Sequence, residues 1–264
     1  MRILARILIV LFSLYAGICL FLFFNQENLI FYPKKLNKDF QFSFQSKFEE
    51  VNIKTADNKT LNSVLFKADS SKGVIFYLHG NAGALDTWGE VAKTYTDLHY
   101  DVFMIDYRGY GKSEGNINSQ DQFLNDIQLA YNLVKKTYGE SKIIVLGYSI
   151  ATGAAAYIAA NNHPRLLILQ APYFSLVEMM KHNYPVIPTF ILKYKFETNK
   201  YLHNCETPIV IFHGDADEVI YYQSSLKLRA LLKKSDTLIT LHGQGHNDIA
   251  NNPDYTNYLS KVLN

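Results

Sequence analysis

Short apolar runs that alternate with helix-like stretches constrain the fold of this chain more than any other feature. Each run is five to seven residues long and nearly continuous in apolar side chains, which is typical of strands buried on both faces of a sheet. The runs cover residues 73–79, 101–106, 142–147, 166–170, 208–214 and 237–242. Helix-like stretches lie between most of them, at residues 86–98, 120–138, 149–160, 222–234 and 247–262. This alternation predicts an α/β fold, with a mostly parallel sheet and helices on both faces.

A predicted hairpin precedes the alternating region. Residues 48–55 (FEEVNIKT) and 60–67 (TLNSVLFK) have a strand-like pattern, and Asp57 and Asn58 provide a turn signal between them. We therefore predict two antiparallel strands that open the sheet.

Residues 172–204 interrupt the alternation of strands and helices. They contain Pro185, Pro188 and many large apolar side chains without a clear period. An insertion after the carboxyl end of a parallel strand lies over the edge where such sheets bind their ligands. We therefore predict a small cap, or one wall of a substrate pocket, in this interval. For its first half, an ordinary helix and loop outside the sheet is an equal alternative.

The N-terminus carries an uncharged apolar stretch at residues 7–24, ILIVLFSLYAGICLFLFF. As a helix these residues rise about 27 Å, close to the hydrocarbon thickness of a bilayer. A cleaved signal peptide and a buried core helix are the alternatives. A signal peptide has a shorter apolar region and a small residue at the cleavage site, whereas this stretch ends in FFNQE. We predict a membrane anchor over residues 1–28 and a folded domain over residues 29–264.

The basic residues around the anchor predict its orientation. Arg2 and Arg6 precede the apolar stretch and favour a cytoplasmic N-terminus, with the folded domain on the opposite side of a single-pass membrane protein. Lys34, Lys35 and Lys38 follow the stretch and act in the opposite sense. The predicted orientation therefore rests on Arg2 and Arg6.

Charge and cysteine content narrow the partners. The chain has 26 basic and 24 acidic residues, and this net charge of +2 argues against a nucleic-acid partner. The two cysteines predict no disulfide framework, since Cys19 lies in the apolar stretch. The cysteine and histidine spacings do not indicate a zinc site, and we expect no cofactor.

A serine on a strand-to-helix turn is the candidate nucleophile. The literal Gly-x-Ser-x-Gly pattern occurs at residues 111–115, but neither a strand nor a helix flanks Ser113. Ser149 follows the predicted strand KIIVLG and precedes the small-residue helix ATGAAAYIAA, although Ala151 stands where the pattern has glycine. Nucleophilic catalysis needs that strand–turn–helix context, because it exposes the hydroxyl beside free N–H groups. We therefore assign Ser149, with a helix-capping serine as the alternative.

Two later loops offer a general base and an acid in the chain order that follows such a serine. Asp215 and Asp217 lie after the strand PIVIF, and His242 and His246 lie after the strand TLITL. Carboxyl ends of parallel strands meet at one edge of a sheet, so these side chains can converge on the nucleophile. We prefer His246 over His242, which is expected to end its strand. We prefer Asp217 over Asp215, which is expected to brace the loop.

Two backbone N–H groups are candidates for an oxyanion hole. The N–H of Ile150 follows the nucleophile directly. The second donor is expected in the glycine-containing loop after the strand at residues 73–79, where Asn81 is preferred and Ala82 is the alternative. A simple tight turn would also explain this loop.

Five motifs together resemble the Bem46-type α/β hydrolases, which are close to the serine aminopeptidase-like hydrolases. The motifs are HGNAG at residues 79–83, DYRGYGKSEG at 106–115, GYSIATG at 147–153, FHGDADEVI at 212–220 and GHND at 245–248. The resemblance runs from about residue 30 to the C-terminus. It implies the α/β-hydrolase fold for residues 29–264, a triad of Ser149, Asp217 and His246, no cofactor, and frequent membrane anchoring. Ala151 is the departure from the motif.

These residues predict a serine hydrolase that transfers an acyl group to water. We expect an ester or thioester of an apolar acyl group as substrate, a small molecule or a lipid near the membrane. Aromatic side chains are expected to line its pocket: Tyr148, Tyr173, Phe174, Tyr184 and Phe190. An aminopeptidase is one alternative, with Glu178 or Glu197 binding the substrate ammonium. A non-catalytic, membrane-anchored binding protein with a hydrolase fold is the other.

Overall fold

An eight-stranded sheet organises the protein, as shown by a computed structural model that describes residues 1–263. The strands are β1 Tyr32–Pro33, β2 Phe48–Lys54, β3 Thr60–Phe66, β4 Val74–Leu78, β5 Ala82–Gly83, β6 Asp101–Ile105, β7 Ile143–Tyr148, β8 Leu166–Gln170, β9 Ile209–Gly214 and β10 Thr237–Leu241. The order in the main sheet is β10-β9-β8-β7-β4-β6-β3-β2, and β1 and β5 pair separately. Strands β6 to β10 and β4 run parallel, whereas β2 and β3 form an antiparallel hairpin and β3 is antiparallel to β6. The predicted fold class is confirmed.

The core forms two apolar layers, one on each face of the sheet. Along β4, Phe76 belongs to one layer and Tyr77 to the other, because successive side chains of a strand point to opposite faces. Helices pack on both layers, so the strands are buried on both faces. This double burial explains the nearly continuous apolar runs in the sequence.

Helices connect the parallel strands. They are α1 Arg2–Ile30, α2 Leu85–Trp88, α3 Ala92–Thr96, α4 Gln120–Tyr138, α5 Thr152–Asn161, α6 Leu176–Asn183, α7 Thr198–His203, α8 Gln223–Arg229 and α9 Pro253–Leu263. Side chains from α4, α5, α7 and α8 pack in the layer that contains Phe76, and side chains from α3 and α9 pack in the other. The helix predicted at residues 120–138 is confirmed at both ends.

Four predicted helices are shorter or divided, and the one predicted at residues 149–160 begins only at Thr152, after a 3-10 turn. The stretch at residues 86–98 is divided by a 3-10 turn at Gly89–Val91, where a Cβ on Gly89 would lie 2.4 Å from the Phe44 ring. The last helix begins only at Pro253, because proline favours the first helical position and disfavours helix in the residue before it. Helix α8 ends at Arg229, earlier than predicted.

Helix α1 is long and apolar enough to cross a bilayer, and it is the one such helix among residues 1–263. None of its most apolar 18 residues is buried against the rest of the protein. The chain then joins the folded domain at once, because β1 pairs in parallel with β5 through Tyr32 and Ala82. The C-terminal end of α1 is thereby brought to the loop that follows β4.

The interval at residues 172–204 contains two helices with different neighbours. Helix α7 packs beside α5, in the ordinary helical layer of the fold. Residues 184–192, which we call the cap loop, bond to α1 instead, and helix α6 faces α1 across a cavity. The hydroxyl of Ser175 caps α6 by accepting the N–H of Glu178 at 3.1 Å.

Candidate active site

The sheet register brings four loops to one edge. Leu78 at the end of β4 lies opposite Gly147 in β7, so Asn81 and Ile150 each follow three residues beyond a paired position. In the same way, Leu241 at the end of β10 lies opposite Gly214 in β9. The loops after these four strands carry all the residues predicted for the triad and the oxyanion hole.

A tight elbow presents Ser149 between β7 and α5. Ser149 has φ +54°, a left-handed conformation that is strained for a residue with a side chain and typical of functional turns. A Cβ on Gly147 would lie 2.6 Å from the Ala155 Cβ and 2.8 Å from the Ala151 carbonyl oxygen, so only glycine fits there. Ala151 itself has φ −77°. Its methyl group therefore needs no left-handed backbone, and the departure from the glycine pattern is accommodated.

A chain of hydrogen bonds joins Ser149, His246 and Asp217. The Ser149 Oγ lies 2.9 Å from His246 Nε2, and His246 Nδ1 lies 2.7 Å from Asp217 Oδ2. A carboxylate only accepts hydrogen bonds, so Nδ1 carries the proton and Nε2 is free to accept the serine hydroxyl. All three residues are at least 92% buried. The side chains are therefore shielded from water and aligned for proton transfer.

Asp217 is held as an acceptor by donors on both oxygens. Oδ1 accepts the N–H groups of Val219 and Ile220, both at 2.8 Å. Oδ2 faces His246 and also His213 Nε2, at 3.2 Å. Burial alone would raise the pKa of the Asp217 carboxyl, but the hydrogen bonds from the two histidines and the Ile220 N–H outweigh it and hold that pKa well below its usual range.

His213 is a site residue that the sequence analysis missed. Its Nε2 also lies 2.9 Å from the Ile220 carbonyl oxygen, which can only accept, so Nε2 carries a proton. Its Nδ1 lies 2.6 Å from the Ser225 hydroxyl, which then donates. The side chain is fully buried beside Asp217. The one signal for this role in the sequence is the polar side chain of His213 at the end of an otherwise apolar strand.

The Asn81 loop is fixed on both sides of the predicted oxyanion donor. The Asn81 carbonyl oxygen accepts the Tyr32 N–H at 2.8 Å and the Tyr110 hydroxyl at 2.7 Å. The preceding carbonyl, that of Gly80, lies 2.8 Å from His79 Nδ1. In a trans peptide the Gly80 carbonyl and the Asn81 N–H point in opposite directions. The histidine therefore sets the direction of that N–H, and it too was missed from the sequence.

His79 in turn faces a buried carboxylate. Its Nε2 lies 3.6 Å from Asp106 Oδ1, which also accepts the Leu85 N–H at 3.1 Å. Burial raises the pKa of the Asp106 carboxyl, and the neighbouring His79 partly offsets this. A Cβ on Gly111, which has φ +48°, would overlap Asp106 Oδ2, so the glycine is required for this close approach.

The alternatives considered from the sequence occupy other places. The Ser113 hydroxyl donates to the Asp106 carbonyl oxygen at 2.7 Å and accepts the Asn62 N–H at 2.8 Å, so it braces a buried loop. His242 pairs with Asp215 at 2.8 Å, and its side chain is 83% exposed. The structure does not bring these residues to Ser149.

The aromatic residues predicted for the pocket are separated in the structure. Tyr148 is buried and donates its hydroxyl to the His246 carbonyl oxygen at 2.5 Å. Tyr173 is also buried, and its hydroxyl donates to the Ile150 carbonyl oxygen and accepts the Gly153 N–H, so it stabilises the elbow. Phe174 is half-buried against the core. Tyr184 lines a cavity beside α1, whereas Phe190 is 86% exposed and lies outside that cavity.

Comparisons with known proteins agree with this fold. The model of the serine aminopeptidase family, S33, matches residues 69–199. The lysophosphatidylserine lipase ABHD12 of Danio rerio is 28% identical over 74% of this chain and 59% of its own length. Protein bem46 of Schizosaccharomyces pombe is 28% identical over 67% of this chain and 63% of its own length. The Pyrococcus furiosus esterase Pf2001 superimposes with a TM-score of 0.70 at 17% identity, covering 89% of this chain and 96% of that one.

The sheet order and the elbow between β7 and α5 define the α/β-hydrolase fold. Within that class of fold, the chain is similar to the serine aminopeptidase family and to protein bem46. This chain spans about three fifths of the length of the lipase and of protein bem46.

Proposed function

We propose that the protein is a serine hydrolase that cleaves an ester or thioester of an apolar acyl group through an acyl-enzyme. The observation that carries the proposal is the buried hydrogen-bond chain from Ser149 through His246 to Asp217 at the carboxyl edge of the sheet. The fold of the protein, which is similar to that of an esterase, and its sequence similarity to a lipase support an ester as the substrate.

The reaction follows from the positions of the protons. His246 Nε2 takes the hydroxyl proton as Ser149 Oγ bonds to the substrate carbonyl carbon, and Asp217 stabilises the imidazolium that forms. The N–H groups of Asn81 and Ile150 hold the oxyanion. As the intermediate collapses, His246 returns the proton to the leaving alcohol or thiol. Water, activated in the same way, then attacks the acyl-enzyme, and release of the acid restores Ser149.

We further propose that α1 is a single-pass anchor with a cytoplasmic N-terminus and that it holds the catalytic domain beside the membrane on the opposite side. Its length of 29 residues corresponds to roughly 43 Å, more than the hydrocarbon core requires. Arg2 and Arg6 support the orientation.

An aminopeptidase would need a free carboxylate for the substrate ammonium. Glu178 is already bonded to the Lys227 ammonium and the Tyr221 hydroxyl. Glu197 pairs with Lys200 at 2.8 Å. Both predicted candidates are thus neutralised within the protein, which favours the esterase.

A fluorophosphonate probe tests the proposal. The full-length wild-type protein should be labelled, and labelling should be lost in Ser149→Ala. Ser113→Ala is the matched control, since Ser113 belongs to the literal motif but lies away from His246; it should still be labelled. Acyl esters and aminoacyl amides offered side by side separate esterase from aminopeptidase. Folded wild-type protein that resists the probe would identify a non-catalytic binding protein instead.

A further inference from the structure

A cavity of about 380 Å³ lies between the C-terminal part of α1 and the cap region. Leu22 and Leu29 line it from α1, Met179 and Met180 from α6, and Ile187 and Leu192 from the cap loop. Every lining residue is uncharged. The volume falls within the roughly 300–1,000 Å³ of typical small-molecule sites. The hydrolytic mechanism makes no use of this cavity.

Hydrogen bonds fix the two walls of the cavity to each other. The buried Gln26 side chain donates to the Ile191 carbonyl oxygen at 3.2 Å and accepts the Lys193 N–H at 2.7 Å. Eleven positions earlier on α1, the Tyr15 hydroxyl donates to the Val186 carbonyl oxygen at 2.8 Å. The cap loop therefore follows α1 over about 16 Å, roughly half the thickness of a hydrocarbon core.

The charge pattern of the two walls matches one leaflet of a bilayer. Residues 7–26 of α1 and residues 184–192 of the cap loop are uncharged. The first charged residue after each, Glu27 and Lys193, pair with each other at 3.1 Å. An uncharged zone that ends at the same level on both walls is complementary to lipid tails below a polar headgroup layer.

The outer surface of the cap loop has the same character. The side chains of Tyr184, Val186 and Phe190 are 63%, 74% and 86% exposed. Such a cluster of exposed apolar residues beside a helix that can span a membrane is typical of a surface that contacts lipid. The entrance of the cavity is therefore surrounded by groups that are stable in a lipid environment.

Both walls begin at the candidate active site. On one wall, Ile30 and Tyr32 bond to Asn81, through the amide side chain at 3.3 Å and the carbonyl oxygen at 2.8 Å. On the other, α6 begins three residues after Tyr173, whose hydroxyl donates to the Ile150 carbonyl oxygen. The cavity therefore adjoins, through Ile30 and Tyr32, the loop that carries Asn81.

We propose that this cavity binds one acyl chain of a membrane lipid ester, which enters from the bilayer between α1 and the cap loop. The proposal rests on the proposed function, because it places the ester carbonyl at Ser149. It identifies the apolar acyl group as a lipid chain and gives the membrane helix a direct part in substrate binding.

Chain-length selectivity tests the site with the full-length protein in phosphatidylcholine nanodiscs. Ile187→Trp fills the cavity. Leu14→Trp is the matched control, because the Leu14 side chain is 62% exposed on the N-terminal half of α1 and does not line the cavity. The ratio of kcat/KM for p-nitrophenyl palmitate to that for the butyrate should fall about tenfold or more in Ile187→Trp, since contacts with at least two methylene groups are lost. It should stay within about twofold of wild type in the control. An unchanged ratio in Ile187→Trp would overturn the acyl site.

Photo-crosslinking separates this proposal from the proposed function. In the Ser149→Ala protein, a phosphatidylcholine with a diazirine near the end of its acyl chain should label the peptide that contains Met179 and Met180. Adding Ile187→Trp should abolish that label and leave label on the exposed N-terminal half of α1. If wild type hydrolyses neither ester but this labelling holds, the hydrolase proposal fails and the acyl site stands. Hydrolysis with label confined to α1 overturns the site alone.

Discussion

The elbow around Ser149 requires glycine at position 147 but not at position 151, where the literal Gly-x-Ser-x-Gly motif has one. A Cβ on Gly147 would lie 2.6 Å from the Ala155 Cβ and 2.8 Å from the Ala151 carbonyl oxygen, so strand β7 and helix α5 must move apart. Overpacking of this kind costs roughly 1–3 kcal/mol, and two contacts below 3 Å place Gly147→Ala toward the upper end. For a chain of this size the midpoint of thermal unfolding should fall by about 5–10 °C. Ser149 would shift with the turn, and kcat should fall by about 10²-fold.

Ala151→Gly is the matched control, since it restores the literal Gly-x-Ser-x-Gly pattern. Because Ala151 has φ −77°, glycine relieves no strain there and adds flexibility at the start of α5. We expect a loss of about 0.5–1 kcal/mol and little change in kcat.

Circular dichroism melts and hydrolysis of p-nitrophenyl butyrate measure both effects under one set of conditions. The steric reasoning is refuted if Gly147→Ala melts within about 1 °C of wild type. The account of Ala151 is refuted if Ala151→Gly is both more stable and at least about tenfold faster.

Three further predictions concern charged groups. Asp217→Asn should lower kcat by about 10⁴-fold, because an amide has one accepting oxygen and cannot accept both the histidine and the backbone N–H groups. Asp215→Asn should change kcat less than about tenfold, and steady-state kinetics compare the two variants. The low pKa of Asp217 adds stability that is complete above about pH 4, the unfolded value, and is lost as the pH falls toward the folded value. Wild type should therefore lose more melting temperature between pH 5 and pH 3 than Asp217→Asn does. Arg108→Met should destabilise by about 3 kcal/mol in denaturant titrations, because the largely buried Asp126 loses its cation.

The sequence predicted the sheet well because its signals are local. A strand buried on both faces must be apolar along its whole length, so the runs at β4 and β6 to β10 could be recognised directly. Helix boundaries were less accurate where a tertiary contact decides them. The helix predicted at residues 86–98 is divided at Gly89, which packs against Phe44, forty-five residues earlier in the chain, and no local pattern records that contact.

The residues of the candidate site also fall into a group that local sequence signals predicted and a group that they did not. Chain order and strand–turn–helix context predicted Ser149 rather than Ser113, and His246 and Asp217 rather than their neighbours. The structure joins the three predicted residues by hydrogen bonds and places the alternatives elsewhere. The residues that orient these groups were not predicted. His213 and His79 bond to Asp217 and to the Gly80 carbonyl, and a histidine at the end of an apolar strand has no distinctive spacing.

The sequence by itself determined the α/β fold, the apolar N-terminal helix and the serine on its turn, since each depends on side chains close together in the chain. Only the tertiary structure decided what that helix does within the molecule. Gln26 bonds to the cap region 165 and 167 residues later, and these contacts enclose the cavity beside the site. An apolar helix has the same composition whether it only anchors or also forms a wall. Its neighbours distinguish these roles, and they are set by the packing of the whole chain.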